Sequence, residues 1–245
     1  MKAVILAAGM GTRLAPLTRE TPKALVKIGD KTMLEIVLRR LAAAGADAFA
    51  VNAFHLADKI ARFLEERANF GLDIRLSREE TLLDTGGGLK KAAPLVADGR
   101  PFFIHNVDVL SDIDLSALYR QHAASGALAT LAVQSRESSR PLLFGADGRL
   151  FDRGQARRAS SPGRAMEECV SDRGRAAPLA FCGISVASPE LLPRMTESGA
   201  FSLSDAYVRI AREGGDIRAF RCDGAYWQDV GTPEKLEQAR KRLGR

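Results

Sequence analysis

The feature that most constrains the fold is an alternation of strand and helix patterns through the first half of the chain. Short apolar runs are typical of strands buried on both faces of a sheet, and PFFIHN at 101–106 is the clearest of them. Between them, apolar residues recur at helical spacing. Strands are predicted at residues 3–6, 48–52, 73–77 and 101–106, with helices at 34–45 and 60–71. Such alternation predicts parallel strands with helices on both faces of the sheet.

The second half carries more strands and fewer helices. Strands are predicted at 127–134, 179–186 and 216–222, a hairpin at 141–153 turning at Asp147-Gly148, and helices from Pro189, Ser204 and Pro233. Residues 154–176, rich in Arg, Ser and Gly and without a period, predict a mobile loop. We therefore predict a single α/β domain over 1–245. Its expected form is a Rossmann-like three-layer sandwich with a mostly parallel central mixed sheet.

Composition narrows the class of protein without naming an activity. The chain has 245 residues, 46% of them hydrophobic and 27% charged, as in ordinary globular proteins. No apolar run approaches the roughly 18 residues of a membrane span, and the N-terminal apolar stretch is too short for a signal peptide. Three widely spaced cysteines fit neither a disulfide framework nor a zinc site. We therefore expect a cytoplasmic protein without a membrane partner.

The segment Leu6–Leu14, LAAGMGTRL, follows the first strand directly. Its small residues let the backbone turn tightly and bring N–H groups close to an anion, and Arg13 adds a multi-donor cation suited to phosphate. A Walker A loop is excluded because no Lys-Ser or Lys-Thr pair follows Gly11, and the dinucleotide fingerprint fails because its third glycine is replaced by Leu14. The formal charge of +6 also suits anionic ligands, but no nucleic-acid-binding motif is present.

LAAGMGTRLAPLT, followed by TPKAL, resembles the signature of the sugar-phosphate nucleotidyltransferases. This family contains glucose-1-phosphate thymidylyl-, mannose-1-phosphate guanylyl- and N-acetylmuramate-1-phosphate uridylyltransferases. In the family, the loop amides and the Arg hold the NTP triphosphate, and the Lys after Pro contacts the α-phosphate region. The resemblance implies nucleotide binding by Ala7, Ala8, Gly9, Gly11, Thr12, Arg13 and Lys23, with catalytic roles for Arg13 and Lys23. An ammonium there would stabilise the charge that builds on the α-phosphate oxygens.

Residues 79–92, EETLLDTGGGLKKA, form a second block of similarity. They resemble the family's ExxxLGTAGAL element, which surrounds base and ribose, with Asp84 in place of Gly and Gly87 in place of Ala. The resemblance implies nucleotide contacts for Glu79, Thr85, Gly86 and Gly87. Consecutive glycines would permit close approach of the backbone, and a helix is expected to open at Leu89 with an N-terminus that favours an anion.

The sequence does not decide whether the nucleotide is UTP or GTP. The Thr-Gly-Gly-Gly run closely resembles that of the N-acetylmuramate-1-phosphate uridylyltransferases, which favours UTP. Carboxylates such as those of Glu79 and Glu80 pair naturally with the N–H donors of guanine, which favours GTP.

Two carboxylates are the candidate metal ligands. Asp108 follows the predicted central strand, at the carboxyl edge where open α/β sheets bind ligands. Asp229 lies in YWQDVGTP, which resembles the family's W-x-D-x-G-T-P element, whose Asp completes a Mg²⁺ site. One or two carboxylates together with substrate phosphates suit Mg²⁺. Asp112 and Asp114 are expected to cap the helix that follows them.

The acceptor half, 111–245, is less informative than the nucleotide-binding half, 1–110. Gly183 lies on a strand that resembles the one lining the family's sugar pocket, and Asn106 and Arg140 are the other predicted substrate-binding residues. The family's Glu-Lys-Pro, whose Lys binds the sugar phosphate, is missing; Arg136, Arg140 and Arg153 are candidates to replace it.

The implied reaction joins an NTP to a sugar 1-phosphate with Mg²⁺ as cofactor, in a monomer or homodimer without nucleic acid. A cytidylyl- or molybdopterin-type transferase and a non-catalytic nucleotide-binding module of the same fold are the alternatives.

Overall fold

The structure, a computed structural model, describes residues 1–154, 169–171 and 174–243. The strands described are β1 Lys2–Leu6, β2 Lys27–Ile28, β3 Lys31–Thr32, β4 Ala48–Ala53, β5 Asp73–Arg78, β6 Phe102–Asn106, β7 Val109–Ser111, β8 Ala129–Gln134, β9 Leu142–Phe144, β10 Leu150–Arg153, β11 Cys169–Ser171, β12 Gly174–Ala187, β13 Ile217–Arg221 and β14 Trp227–Asp229. The α-helices are α1 Leu17–Glu20, α2 Met33–Ala43, α3 Ala57–Glu66, α4 Asp84–Ala92, α5 Leu115–Ser125, α6 Leu191–Arg194, α7 Leu203–Arg212 and α8 Pro233–Leu243. None of these helices is long and apolar enough to cross a membrane.

A ten-stranded mixed sheet forms the centre of the molecule. Strands β6, β1, β4 and β5 are neighbours and parallel, and β12 joins them antiparallel to β6. Strand β8 is antiparallel to β12 and parallel to β13. Because β6 and β8 both run opposite to β12, their carboxyl ends point to the same edge. The loops after β1, β6, β8 and β13 therefore meet at that edge, where α/β sheets place ligands.

Two large apolar clusters lie on opposite faces of the sheet, as the alternation of side chains along each strand requires. Val4 and Ile104 belong to the cluster packed against α4 and α7. Ile5 and Phe103 belong to the cluster packed against α2, α3 and α5. Strands β7 and β14 pair antiparallel in a separate two-stranded ribbon, the β7–β14 ribbon. A smaller third cluster joins the loop after β1 to this ribbon and to α8, through Leu14, Leu110, Val230 and Leu236. The α/β fold class predicted from the sequence is confirmed.

Most predicted elements are present within two or three residues of their expected bounds, including the central strand at 102–106 and the 142–153 hairpin with Gly148 at φ +74°. The helix predicted from Pro189 is a single turn, Leu191–Arg194. Helix α4 begins at Asp84, so the predicted start at Leu89 is wrong and the three glycines lie inside the helix.

The loop predicted at 154–176 is partly wrong. Residues 169–171 pair antiparallel with 174–176, which extends β12 well before its expected start at 179. The sequence here is polar and shows no alternation of apolar and polar residues, so it does not indicate a strand. Pairing with the neighbouring strand favours the extended conformation. The remainder of the predicted loop, 155–168 and 172–173, lies outside the described residues.

Candidate active site

The loop after β1 depends on a left-handed residue at Gly11. Its φ is +65°, and a Cβ there would lie 2.8 Å from Cγ2 of Thr18, so neither conformation nor space admits a side chain. The Thr18 hydroxyl donates to the carbonyl oxygen of Gly11 at 2.8 Å and fixes the turn. Apart from its two chain neighbours, no described residue has an atom within 4 Å of the Cβ position of Gly9. Thr12 and Arg13 are exposed, so this side of the loop is open to a ligand.

Ala7 and Glu79 are tied together inside the protein through Asn52. The Ala7 N–H donates to Oδ1 of Asn52 at 2.5 Å, and Nδ2 of Asn52 donates to Oε1 of Glu79 at 2.7 Å. The other carboxylate oxygen of Glu79 accepts the N–H of Leu83 at 3.0 Å. Both oxygens of this buried carboxylate and the Ala7 amide are therefore engaged by protein groups. Glu79 joins the loops after β1 and β5, a role that the sequence does not reveal.

Lys23 is brought to the end of the central strand by a 3₁₀ turn that starts after Pro22. It is only 8% exposed, yet its ammonium forms an ion pair with the carboxylate of Asp108. Asp108 lies in the turn between β6 and β7 and keeps 27% of its side chain exposed. A buried ammonium needs such a partner, and the pair holds both side chains at the carboxyl edge of the sheet.

Asp229 reaches the same place through the β7–β14 ribbon. In this ribbon Asp229 is paired with Val109, and the N–H of Val230 donates to the carbonyl oxygen of Asp108 at 2.7 Å. Two residues that are 121 positions apart in the sequence, at 108 and 229, are thus brought next to each other: Asp229 on β14 is paired with the residue that directly follows Asp108.

Arg13 lies beside Asp229, across Gly231. A Cβ at Gly231 would lie 2.8 Å from Nη2 of Arg13 and 3.0 Å from Oδ2 of Asp229, so only glycine leaves room for both. The Asp229 carboxylate also forms an ion pair with Lys235 of α8, a residue that no sequence motif indicated. The fold therefore brings together Arg13, Lys23, Asp108 and Asp229, four residues singled out from separate segments of the sequence.

The donor set at this point fits Mg²⁺. Asp108 and Asp229 are partly exposed carboxylates, and carboxylate oxygens are the ligands that Mg²⁺ prefers. Among the described residues, no group of three or more His, Cys, Asp and Glu side chains could enclose a metal alone. A site of two carboxylates therefore needs ligand oxygens from phosphates and water, as Mg²⁺ sites with nucleotide substrates have. The nearby Asp112 and Asp114 are occupied elsewhere: Asp114 caps α5, as predicted, whereas Asp112 accepts the N–H of Tyr226 and caps no helix.

The predicted base-side residues pack against protein in this structure. A side chain at Gly86 would collide with Phe201, and one at Gly87 with the carbonyl oxygen of Gly199. The Thr85 hydroxyl accepts the N–H of Leu203 at 3.0 Å, at the start of α7. The glycines therefore allow α4 to pack against the 199–203 segment, while the nucleotide contacts of Thr85, Gly86 and Gly87 stay predictions. They lie in this packing because α4 starts five residues earlier than expected, so its first turns carry them.

The predicted acceptor residues differ in their placement. Gly183 is in the left-handed region at φ +71°, and Nδ2 of Asn106 lies 2.8 Å from where its Cβ would be. Gly183 interrupts the register between β12 and β8, a bulge of the kind found beside active sites. Asn106 and Gly183 are therefore brought together near Asp108. Arg140 is exposed, and within the described residues no hydrogen bond or ion pair joins its side chain to this group.

A family model described as "Nucleotidyl transferase" matches residues 2–146, more than half of the chain. The N-acetylmuramate alpha-1-phosphate uridylyltransferase of Caulobacter vibrioides is 32% identical over 98% of this chain and 96% of its own length. The enzyme of the same name from Neisseria meningitidis is 31% identical over 100% of this chain and 99% of its own. HddC from Yersinia pseudotuberculosis, solved in complex with GMP-PN, has the same fold, with a TM-score of 0.75, 20% identity and 98% coverage of both chains.

The chain therefore belongs to the nucleotidyl transferase family, and within it to the sugar-1-phosphate nucleotidyltransferases. The resemblance inferred from the signature loop and the enzyme class that it implied are both confirmed.

Replacing Gly11 by Ala is expected to destabilise the protein by about 1–2 kcal/mol, the cost of a left-handed residue with a Cβ. The added methyl would also push against Thr18 and Lys23, so the KM for the nucleotide should rise. Thermal unfolding and steady-state kinetics measure both effects. Gly9→Ala is the matched variant for stability, because its methyl meets no atom within 4 Å. Equal melting temperatures for the two variants would contradict this account of the loop.

Proposed function

We propose that this enzyme transfers the uridylyl group of UTP to a sugar 1-phosphate, with release of pyrophosphate and with Mg²⁺ as cofactor. The observation that carries the proposal is the convergence of Arg13, Lys23, Asp108 and Asp229 at the carboxyl edge of the sheet. Two cations and two carboxylates around an open glycine loop suit a triphosphate and a divalent ion. The acceptor phosphate is itself a nucleophile and is already deprotonated at neutral pH, so a direct displacement needs only positioning and charge stabilisation from these four residues.

In this reaction a phosphate oxygen of the acceptor attacks the α-phosphorus of UTP in line with the leaving pyrophosphate. A new bond forms between the acceptor oxygen and the α-phosphorus as the bond between the α-phosphorus and the α–β bridging oxygen breaks. No covalent enzyme intermediate is formed. Lys23 would place its ammonium on the α-phosphate oxygens, where charge accumulates, and Arg13 would hold the outer phosphates. Lys23 is held in place by its ion pair with Asp108, and Arg13 lies exposed beside Asp229, where it is open to a phosphate.

Asp108 and Asp229 are the residues that would hold Mg²⁺, which supplies charge neutralisation on the phosphate oxygens when bound. Each carboxylate is paired with one lysine here, Asp108 with Lys23 and Asp229 with Lys235. These pairs keep both carboxylates oriented at the edge of the sheet. They also balance a negative charge that would otherwise be concentrated at one point.

UTP is preferred over GTP in this proposal on the Thr-Gly-Gly-Gly run and on the two full-length relatives. The argument for GTP is weakened at Glu79, because each of its oxygens already accepts a hydrogen bond, from Asn52 or from Leu83, which leaves the exposed Glu80 as the carboxylate for guanine. The Thr-Gly-Gly-Gly run and the names of the two full-length relatives support UTP. For the same reason N-acetylmuramate 1-phosphate is the first acceptor to test.

A panel assay tests the proposal. The enzyme is incubated with Mg²⁺, each of UTP, GTP, dTTP, CTP and ATP, and the 1-phosphates of N-acetylmuramate, N-acetylglucosamine, glucose and mannose, and pyrophosphate release is measured. The largest kcat/KM is expected with UTP, and EDTA should abolish turnover until Mg²⁺ is restored. Preference for another NTP would overturn the base assignment, and full activity in EDTA would overturn the role of Mg²⁺.

Replacing Glu79 by Gln separates a role in loop positioning from a role in base recognition. The amide would place N–H donors against the Leu83 N–H or against Nδ2 of Asn52, which leaves a buried group unpaired. The expected loss of stability is about 1–3 kcal/mol. The ratio of kcat/KM between UTP and GTP should stay close to the wild-type ratio. Unchanged stability together with a changed UTP-to-GTP ratio of kcat/KM would instead show that Glu79 contacts the nucleotide base.

A further inference from the structure

Arg136 lies at the active-site edge of the sheet, and no carboxylate of the described residues forms an ion pair with it. It is two residues beyond the carboxyl end of β8, the strand that runs parallel to β6. Its Nη2 donates to the carbonyl oxygen of Phe181 at 2.9 Å, and Nη1 reaches the carbonyl oxygen of Glu137 only at 3.5 Å. Within the described part of the chain, the buried Nε atom has no hydrogen-bond partner.

The guanidinium of Arg136 rests on the ring of Trp227. Its Cζ is 3.5 Å from the ring centroid, close enough for a cation–π contact. The ring is itself fixed, because its Nε1 donates to the carbonyl oxygen of Cys182 at 2.7 Å. Arg136 is thus a rigid cation, held by β12 on one side and by the β14 aromatic ring on the other.

The position of Trp227 puts this cation next to the proposed reaction centre. Trp227 and Asp229 are two residues apart on β14, so their side chains lie on the same face of the strand. The rise of a strand separates the two positions by about 7 Å. The carbonyl groups that accept from Arg136 and Trp227 belong to Phe181 and Cys182, which directly precede Gly183. Arg136 therefore borders both the proposed metal ligand and the glycine predicted to line the sugar pocket.

Burial lowers the pKa of the Arg136 guanidinium below its ordinary value, an effect that the Asp229 carboxylate partly opposes. Holding a cation in a partly buried place without a paired carboxylate is unfavourable unless an anion completes the site. A phosphate suits such a guanidinium, since Nη1 and Nη2 can donate to two of its oxygens at once.

The other two arginines considered for this role are placed differently. Arg153 already forms an ion pair with Asp205 and donates to Oγ of Ser204 at 3.1 Å, which ties β10 to α7. Arg140 is exposed, and among residues 1–154 and 174–243 its one hydrogen bond runs from its backbone N–H to Oγ of Ser138, outside the site. Of the three, only Arg136 combines a fixed guanidinium with a place beside Asp229 and Gly183.

We propose that Arg136 binds the phosphate group of the acceptor sugar 1-phosphate, with Trp227 as the platform that orients its guanidinium. This inference rests on the proposed function, because it assigns a residue to the second substrate of that reaction. It gives the chain a phosphate-binding cation in place of the lysine of the missing Glu-Lys-Pro element. It also separates the two substrates spatially: Arg13 and Lys23 serve the nucleotide, and Arg136 serves the acceptor.

Steady-state kinetics with each substrate varied separately test the assignment. For Arg136→Gln, the loss of charged hydrogen bonds should raise the acceptor KM about 10- to 100-fold. The KM for UTP should remain close to the wild-type value. Arg136→Lys keeps the charge but loses the planar guanidinium that can donate to two phosphate oxygens at once, so its acceptor KM should rise less. The matched control is Arg221→Gln, a nearby exposed arginine that is already paired with Asp223, and its acceptor KM should equal that of the wild type.

A binding experiment adds a readout that does not depend on turnover. Trp227 is the sole tryptophan of the chain, so its fluorescence reports on this site alone. Titrating N-acetylmuramate 1-phosphate into enzyme saturated with the α,β-methylene analogue of UTP should give a saturable change in emission. Arg136→Gln, shown to be folded by its thermal unfolding, should give no change over the same concentrations. If that variant does not fold, Arg136→Lys takes its place and should require a higher concentration for half-saturation.

Two results would overturn the inference. An acceptor KM in Arg136→Gln close to that of the wild type would show that the guanidinium only supports Trp227. Equal increases in the KM of both substrates would show a general disturbance of the site. Failure of the proposed function is distinguishable from these, because the wild type itself would then release no pyrophosphate with any substrate pair, which overturns both proposals.

Discussion

Replacing Asp108 by Asn, or Asp229 by Asn, should lower kcat about 100- to 1000-fold, the scale seen when one preorganised electrostatic group of an active site is removed. Each change keeps the shape of the side chain and removes one of two negative charges available to Mg²⁺. Each also takes the carboxylate partner from a lysine, Lys23 or Lys235. The fold should persist, because both side chains are partly exposed and lie outside the apolar clusters, although Asp108→Asn should lower stability by leaving the buried Lys23 ammonium without its carboxylate.

Metal binding should weaken in parallel with kcat, and this can be measured without turnover. Mn²⁺ is a suitable probe, since its paramagnetism reports binding directly in the presence of UTP. Asp73→Asn is the matched control: Asp73 is an exposed carboxylate at the amino end of β5, away from the site, and should leave Mn²⁺ binding unchanged. Near wild-type kcat and Mn²⁺ affinity in both site variants would refute the metal assignment.

Replacing Lys23 by Met should be comparably severe, with kcat lowered about 100- to 1000-fold. Methionine fills a similar volume without a charge, so the loss reflects the missing ammonium at the α-phosphate. Because Lys23 is buried against Asp108, the variant also leaves that carboxylate without its cation. The main effect is expected on kcat, since charge on the α-phosphate oxygens is greatest in the transition state.

Lys27→Met provides the control for Lys23, because Lys27 is an exposed lysine four positions further along the chain. Its kinetics should match those of the wild type. A Lys23→Met variant in which only the KM for UTP rises, with kcat preserved, would assign Lys23 to ground-state binding of the nucleotide and contradict its catalytic role.

The parts of this account that could be predicted from the sequence are those encoded locally. The period of the apolar residues gave the alternating elements, and the α/β class follows from them. Gly11, Lys23, Asp108 and Asp229 were recognisable because each stands in a short segment with a specific pattern. Their convergence was only an expectation, since the β7–β14 pairing that places Asp229 beside Asp108 joins segments that are far apart in the chain.

The parts that sequence reasoning missed depend on contacts between distant segments. The sequence does not indicate that Asn52 on the neighbouring strand and Leu83 donate to the two oxygens of Glu79. Nor does it indicate that the 199–203 segment requires small residues against α4 at Gly86 and Gly87. Arg136 carried no pattern of its own, and its importance emerges only from the ring of Trp227 beneath it.

The most direct test of the central claim follows the phosphorus atoms of UTP. Enzyme, Mg²⁺ and N-acetylmuramate 1-phosphate are incubated separately with UTP labelled at the α-phosphate and with UTP labelled at the γ-phosphate. We expect the α-label in a uridine diphosphate sugar and the γ-label in pyrophosphate, in equal amounts. Release of the γ-label as orthophosphate, or retention of the α-label on the protein, would contradict a direct uridylyl transfer at this site.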